Sequence, residues 1–64
     1  MTEEEMIEAV KQVDGLGGMT VNERLFASGL LKEFDRAKKS DKAKARRILE
    51  LVQVGTASID KIIK

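Results

Sequence analysis

Two copies of one short pattern fix where helices begin in this chain. Thr2 stands three residues before Glu5, and Thr20 three residues before Glu23. In such a pair the Thr hydroxyl accepts from the backbone N–H of the third helical residue, and the Glu carboxylate accepts from the N–H of the Thr. Two of the four orphan donors at a helix start are thereby satisfied. Helices are expected to start at Glu3 and Val21. Apolar residues follow both boxes at helical rather than strand spacing, which points to an all-α fold.

After the second box the helical pattern runs unbroken to Lys39. At 100° per residue Phe26, Leu30, Phe34 and Ala37 fall on one side, widened by Ala27 and Leu31. Arg24, Ser28, Lys32 and Asp35 lie opposite, in water. Val21, Leu25 and Gly29 recur at i, i+4 and i+8 on a separate flank. The spacing predicts one helix over 21–39, contacted from two sides. The Phe side faces the rest of the chain; the Val21/Leu25/Gly29 flank awaits the first helix or a second molecule, and is the candidate interface. Gly29 costs about 1 kcal/mol relative to Ala inside a helix, and close approach of another backbone is the expected reason for it.

The first helix is expected over 3–14. Glu3, Glu4 and Glu5 suit its N-terminal dipole. Met6, Ala9, Val10 and Val13 form one face with Ile7 at its edge, while Glu4, Glu8, Lys11 and Gln12 point outward. Gly15 is placed for the left-handed position past a helix, and Leu16 for the apolar contact that accompanies it. Gly17 and Gly18 complete a flexible joint that lets the first helix fold back, or swing out onto a neighbouring chain. No strand precedes these glycines, so they are not a nucleotide fingerprint. Met19, directly after them, is a hypothetical internal translation start; native product found only at full length by mass spectrometry would remove that hypothesis.

Ser40 or Asp41 can cap a third helix over 41–54, whose Ala45, Ile48, Leu49 and Val52 have single-face spacing. Its link to the preceding helix is short enough to predict an antiparallel hairpin. Gly55 is expected to stop it, and Thr56 to cap a final short helix over 57–63 carrying Ile59, Ile62 and Ile63. The β-branched residues at 52–54 admit a short edge strand, but no partner strand is visible. The expected architecture is therefore one all-α domain over 1–64: a small bundle of three amphipathic helices, 3–14, 21–39 and 41–54, plus the short C-terminal one.

A chain of 64 residues buries only about 60% of its extended-chain surface. Scaffolds this small usually add disulfides, a metal, an oligomer interface or very good helix packing. Without Cys or His there is no disulfide, and zinc or an iron–sulfur cluster lacks its usual ligands. No metal and no cofactor are expected, which leaves packing and self-association. A composition of 42% hydrophobic and 36% charged residues, with no Pro and a net charge of +1, is that of a folded protein. Neither a long apolar run nor a basic, apolar leader is present, so cytoplasmic residence away from membranes is expected. No catalytic residue can be named. Ser28, Ser40 and Ser58 have no His to activate them.

The clearest anomaly is the basic run over 36–47. Arg36, Lys38, Lys39, Lys42, Lys44, Arg46 and Arg47 face a single acid, Asp41, across the expected hairpin turn. Lys38 and Lys39 suit a helix C-terminus, whereas Lys42 and Lys44 oppose the dipole of the next helix. A solvated end neutralised by Glu3, Glu4, Glu5 and Glu8, an acidic protein partner, and nucleic acid are the three readings, in that order.

The residues Asn22-Glu23-Arg24-Leu25, Gly29-Leu30, Glu33-Phe34-Asp35-Arg36-Ala37 and Ile48-Leu49 with Val52 resemble a group of short bacterial helical proteins that share this N-E-R-L, G-L, E-F-D-x-A, I-L-x-x-V progression. The resemblance covers 19–54 and leaves the first helix outside. It implies a bacterial, cytoplasmic, helical protein and assigns no activity. Taken together, the residues point to a non-enzymatic protein–protein interaction or regulatory module, self-associating through 21–39. The alternative is a small nucleic-acid-binding regulator that uses the basic hairpin end.

Overall fold

The computed structural model describes residues 1–63 and places five α-helices among them: α1 Glu3–Lys11, α2 Val21–Ser28, α3 Leu31–Ser40, α4 Lys42–Leu51 and α5 Thr56–Ile63. Both capping boxes form. The Thr2 N–H donates to Glu5 Oε1 at 2.8 Å and the Glu5 N–H to Thr2 Oγ1 at 3.2 Å. The corresponding distances for Thr20 and Glu23 are 2.8 and 3.1 Å. Asp41 caps α4, accepting from the Lys44 N–H at 3.2 Å. No strand occurs among the described residues, so the edge-strand alternative at 52–54 falls away.

The expected single helix over 21–39 is two helices. It breaks at Gly29, whose φ of +76° is left-handed. The Leu30 N–H donates to the Leu25 carbonyl at 2.9 Å and the Gly29 N–H to that of Phe26 at 3.1 Å. That is the paired bonding of a Schellman C-cap, with buried Leu25 and Leu30 as its apolar contact. Geometry supplies the reason. An unbroken helix over 21–39 would be about 28 Å long, equal to the 28 Å longest dimension of the molecule. Its apolar stripe would overrun the ten-residue α4 that has to cover it.

Breaking the helix re-aims its faces. Leu30, Phe34 and Ala37 stay inside, whereas Phe26 is 75% exposed. The inward face of α2 is Val21, Leu25 and Ser28 instead. Ser28 avoids an unsatisfied hydroxyl by donating to the Arg24 carbonyl at 2.8 Å. Gly29 does not admit a neighbouring backbone, since a Cβ built there would meet nothing within 4 Å. It is needed for its φ alone.

Three further boundaries move. α1 ends at Lys11, not at 14, with Gln12 as its C-cap. Val13 and Asp14 are weak helix formers, and Gly15, at φ +76°, opens a 3-10 turn over Leu16–Gly18 that seats Leu16 in the interior. α4 ends at Leu51, not at 54, and its stop is not Gly55. Gln53 takes the left-handed position at φ +66°. The Val54 N–H bonds the Leu49 carbonyl and the Gln53 N–H that of Glu50, both at 3.0 Å. This is a second Schellman cap, built on a residue with a Cβ. Thr56 then begins α5 and does not cap it.

The centre of the bundle is α4. It packs against α1, α3 and α5, and α2 packs chiefly against α3. Ala45, Ile48, Leu49 and Val52 have no accessible surface. α3 and α4, joined through Asp41 alone, form the expected hairpin. The Cα radius of gyration, 10.6 Å, matches the roughly 10.7 Å of a close-packed chain of this length.

Candidate functional site

The seven cations of the basic run meet different fates. Lys44 Nζ donates to Glu33 Oε2 at 2.7 Å. Arg46 Nη2 reaches Asp60 Oδ1 on α5 at 2.7 Å. Arg47 Nε donates to Glu3 Oε1 on α1 at 2.6 Å, and its Nη1 lies 3.4 Å from Glu50. Arg36, with an exposed side chain, is 4.0 Å from Glu33. Lys44–Glu33, Arg46–Asp60 and Arg47–Glu3 cross between helices, so part of the run serves as clasps from α4 to α3, α5 and α1. The acidic start of α1 does fold against it, through Glu3.

Glu33 is the node of that network. Its side chain is mostly covered, and it takes Lys44, Arg36 and, at 3.4 Å, the terminal amine of Met1. The hydrogen bond from Lys44 holds its carboxyl below the usual range, against a smaller opposing effect of burial. The Arg47 guanidinium is held above its ordinary value, chiefly by its hydrogen bond with Glu3. Lys38, Lys39 and Lys42 are left at the α3–α4 corner with no carboxylate within 4.0 Å among the described residues. Lys38 stands 6.0 Å from the Phe34 ring centroid, at the outer edge of a cation–π contact.

A second charged surface lies on α1. Met1, Glu4, Glu5, Glu8, Ala9 and Gln12 line an open depression of about 510 Å³. The lining comes from α1, its C-cap Gln12 and Met1 just before it, so the depression is a shallow dish on the surface. Glu5 is occupied by its capping box with Thr2, whose backbone hydrogen bond lowers its pKa. Glu8 meets only the exposed Lys11, at 3.7 Å. Glu4 has no ion pair among the described residues.

Residues Val21, Leu25 and Gly29 do not form a patch. Leu25 is 3% exposed and belongs to the core, Val21 packs partly against it, and Gly29 is the turn after α2. Phe26, assigned by its spacing to the interior, is instead the large apolar side chain that α2 presents to solvent. No known protein family, curated protein or solved structure matches this chain.

Arg24, expected in water from the helical projection, sits at a junction. Its Nε donates to the Met19 carbonyl at 3.1 Å, and Nη1 to those of Val52 and Gln53 at 3.2 and 3.0 Å. The guanidinium thus caps the carbonyls at the C-terminal turn of α4, where Gln53 is left-handed. Among the described residues no group of three His, Cys, Asp or Glu is arranged to hold a metal ion, and no helix is long and apolar enough to cross a membrane.

Proposed function

We propose that this chain is a non-catalytic, cytoplasmic protein-interaction module that engages a protein partner through Phe26 on α2. The observation that carries this reading is the 75% exposure of Phe26, one of only two aromatic residues in the chain. Leu25 beside it is buried, so α2 is seated firmly and Phe26 is presented from a fixed helix. Covering a Phe side chain contributes about 1.5–3 kcal/mol, and Phe is among the residues enriched where proteins meet. A photoreactive benzophenone side chain at position 26 tests it in the source cell. The expected result is a discrete protein adduct, resistant to nuclease and absent when the same group stands at exposed Asp35. Equal labelling from both positions would sink the reading.

Nucleic-acid binding is the second reading, favoured by Lys38, Lys39 and Lys42 at one corner. Against it, Lys44, Arg46 and Arg47 are engaged within the chain. Three phosphate contacts would give log K against log salt a slope of only about −3 on duplex DNA. A measured slope near that value, lost in Lys39→Glu/Lys42→Glu, would favour this reading over the first.

A further inference from the structure

Apart from the Arg47–Glu3 clasp, the charge of this molecule is separated into two poles, the acidic face of α1 and the Lys38/Lys39/Lys42 corner, with no ion pair between them among the described residues. Four of the acids, Glu3, Glu4, Glu5 and Glu8, lie on α1, and only Glu3 among them is clasped to another helix. At the α3–α4 corner Lys38, Lys39 and Lys42 have no carboxylate partner among the described residues. The net charge is only +1, so two copies barely repel each other as wholes while their poles attract.

The dish on α1 has the chemistry to take lysine side chains. Met1 and Ala9 line it together with the carbon stems of Glu4 and Glu8, so its surface is mainly apolar, and those two acids, one helical turn apart, bring carboxylates to it. A lysine lays its four-carbon stem along apolar surface and keeps its ammonium at a polar rim. We infer that the α1 dish of one molecule receives the Lys38/Lys39/Lys42 corner of a second copy of this chain, giving a salt-sensitive, reversible self-association. The occupant is a second copy because the complementary pole is on the same chain and stands open. This surface is separate from Phe26, so either proposal can fail without the other.

Sedimentation of the full chain over a wide concentration range tests it, in about 0.01 M and about 1 M salt, where the Debye length is about 30 and 3 Å respectively. The mass is expected to rise above the 7.1 kDa monomer with concentration in low salt and to return to it in high salt. Glu4→Lys/Glu8→Lys alone and Lys39→Glu/Lys42→Glu alone should each associate at least tenfold more weakly, with thermal melts showing both folded. An equimolar mixture of the two should regain association, because each then offers the other an opposite pole. Phe26→Ser should leave the wild-type behaviour unchanged. The inference is overturned by a wild-type monomer at every concentration in low salt, by a mixture that stays monomeric, or by loss of association in Phe26→Ser. A monomer that instead binds nucleic acid through Lys39 and Lys42 also overturns it.

Discussion

Replacing Gln53 by Gly should stabilise this protein. Gln53 holds φ +66°, a conformation that costs an L-residue about 1–2 kcal/mol. Glycine adopts it freely but gives back about 0.5–1 kcal/mol through the greater freedom of the unfolded chain. Gln53 is exposed, and the contacts it makes, its N–H to Glu50 and its carbonyl to Arg24, are backbone contacts that glycine keeps. The net gain is about 0.5–1 kcal/mol, or roughly 2–8 °C in Tm for a domain of this size. Gly29→Ala is the reciprocal change. The new Cβ meets nothing within 4 Å, so the backbone penalty acts alone and stability should fall by about 1 kcal/mol. Thermal and urea melts followed by circular dichroism give both values, with an unchanged urea slope confirming an unaltered denatured state. A lower Tm for Gln53→Gly would mean that the left-handed backbone at position 53 carries no such penalty. A higher Tm for Gly29→Ala would mean that α2 and α3 prefer to run on as one helix.

Arg24→Met should cost about 1.5–3 kcal/mol in urea melts, the range for hydrogen bonds from a charged donor; Arg24→Lys should recover only part, since an ammonium cannot span carbonyls of both Met19 and the α4 turn. Leu49→Ala, at a site with no exposure, should cost about 2–5 kcal/mol and leave much of the protein unfolded at room temperature, while Phe26→Ser changes the melt by less than about 0.5 kcal/mol. The carboxyls of Glu5, Glu23 and Glu33 all lie below their ordinary 4.5 in the folded chain, the first two through backbone hydrogen bonds from Thr2 and Thr20, and Glu33 through Lys44. Their stabilisation is therefore complete above that value and is lost as pH falls through the folded pKa of each. Urea midpoints measured from neutral pH into acid should show this decline, and Glu33→Gln should make it shallower; an equal acid slope in the variant would remove Glu33 from the account.

The helix starts were legible because each is written in a local pair of residues, Thr2 with Glu5 and Thr20 with Glu23. The core of α4 was legible too, since Ala45, Ile48, Leu49 and Val52 keep one period. The break at Gly29 was hidden because the apolar period continues through it, from Phe26 to Leu30 to Phe34, and periodicity is blind to one left-handed residue. A signal was nevertheless present. A leucine four residues before the turn residue and an apolar residue just after it recur in Leu25–Gly29–Leu30 and in Leu49–Gln53–Val54, which is the contact a Schellman cap buries. Without the first of these, Phe26 projects into the hairpin core and Leu25 onto a flank awaiting the first helix or a second molecule, whereas Leu25 is buried and Phe26 exposed. The clasps of Arg24 and Glu33 depend on tertiary proximity across 28 and 11 residues, which no local pattern encodes.

The attachment of α1 has a consequence for how the molecule breathes. Met6 is the one side chain of this helix that is fully buried, and the helix packs against α4. Releasing Met6 and its half-buried neighbour Val10 costs about 3 kcal/mol by area, less than the whole fold of a domain this size. The helix should therefore open as a separate unit, in roughly one molecule in a hundred at any moment. Its amides should exchange with solvent ahead of those of α4, and a protease should cut first at the glycines of 15–18. What each opening bares is the part of the core that Met6 covers, an apolar site that closes again only when its own helix returns.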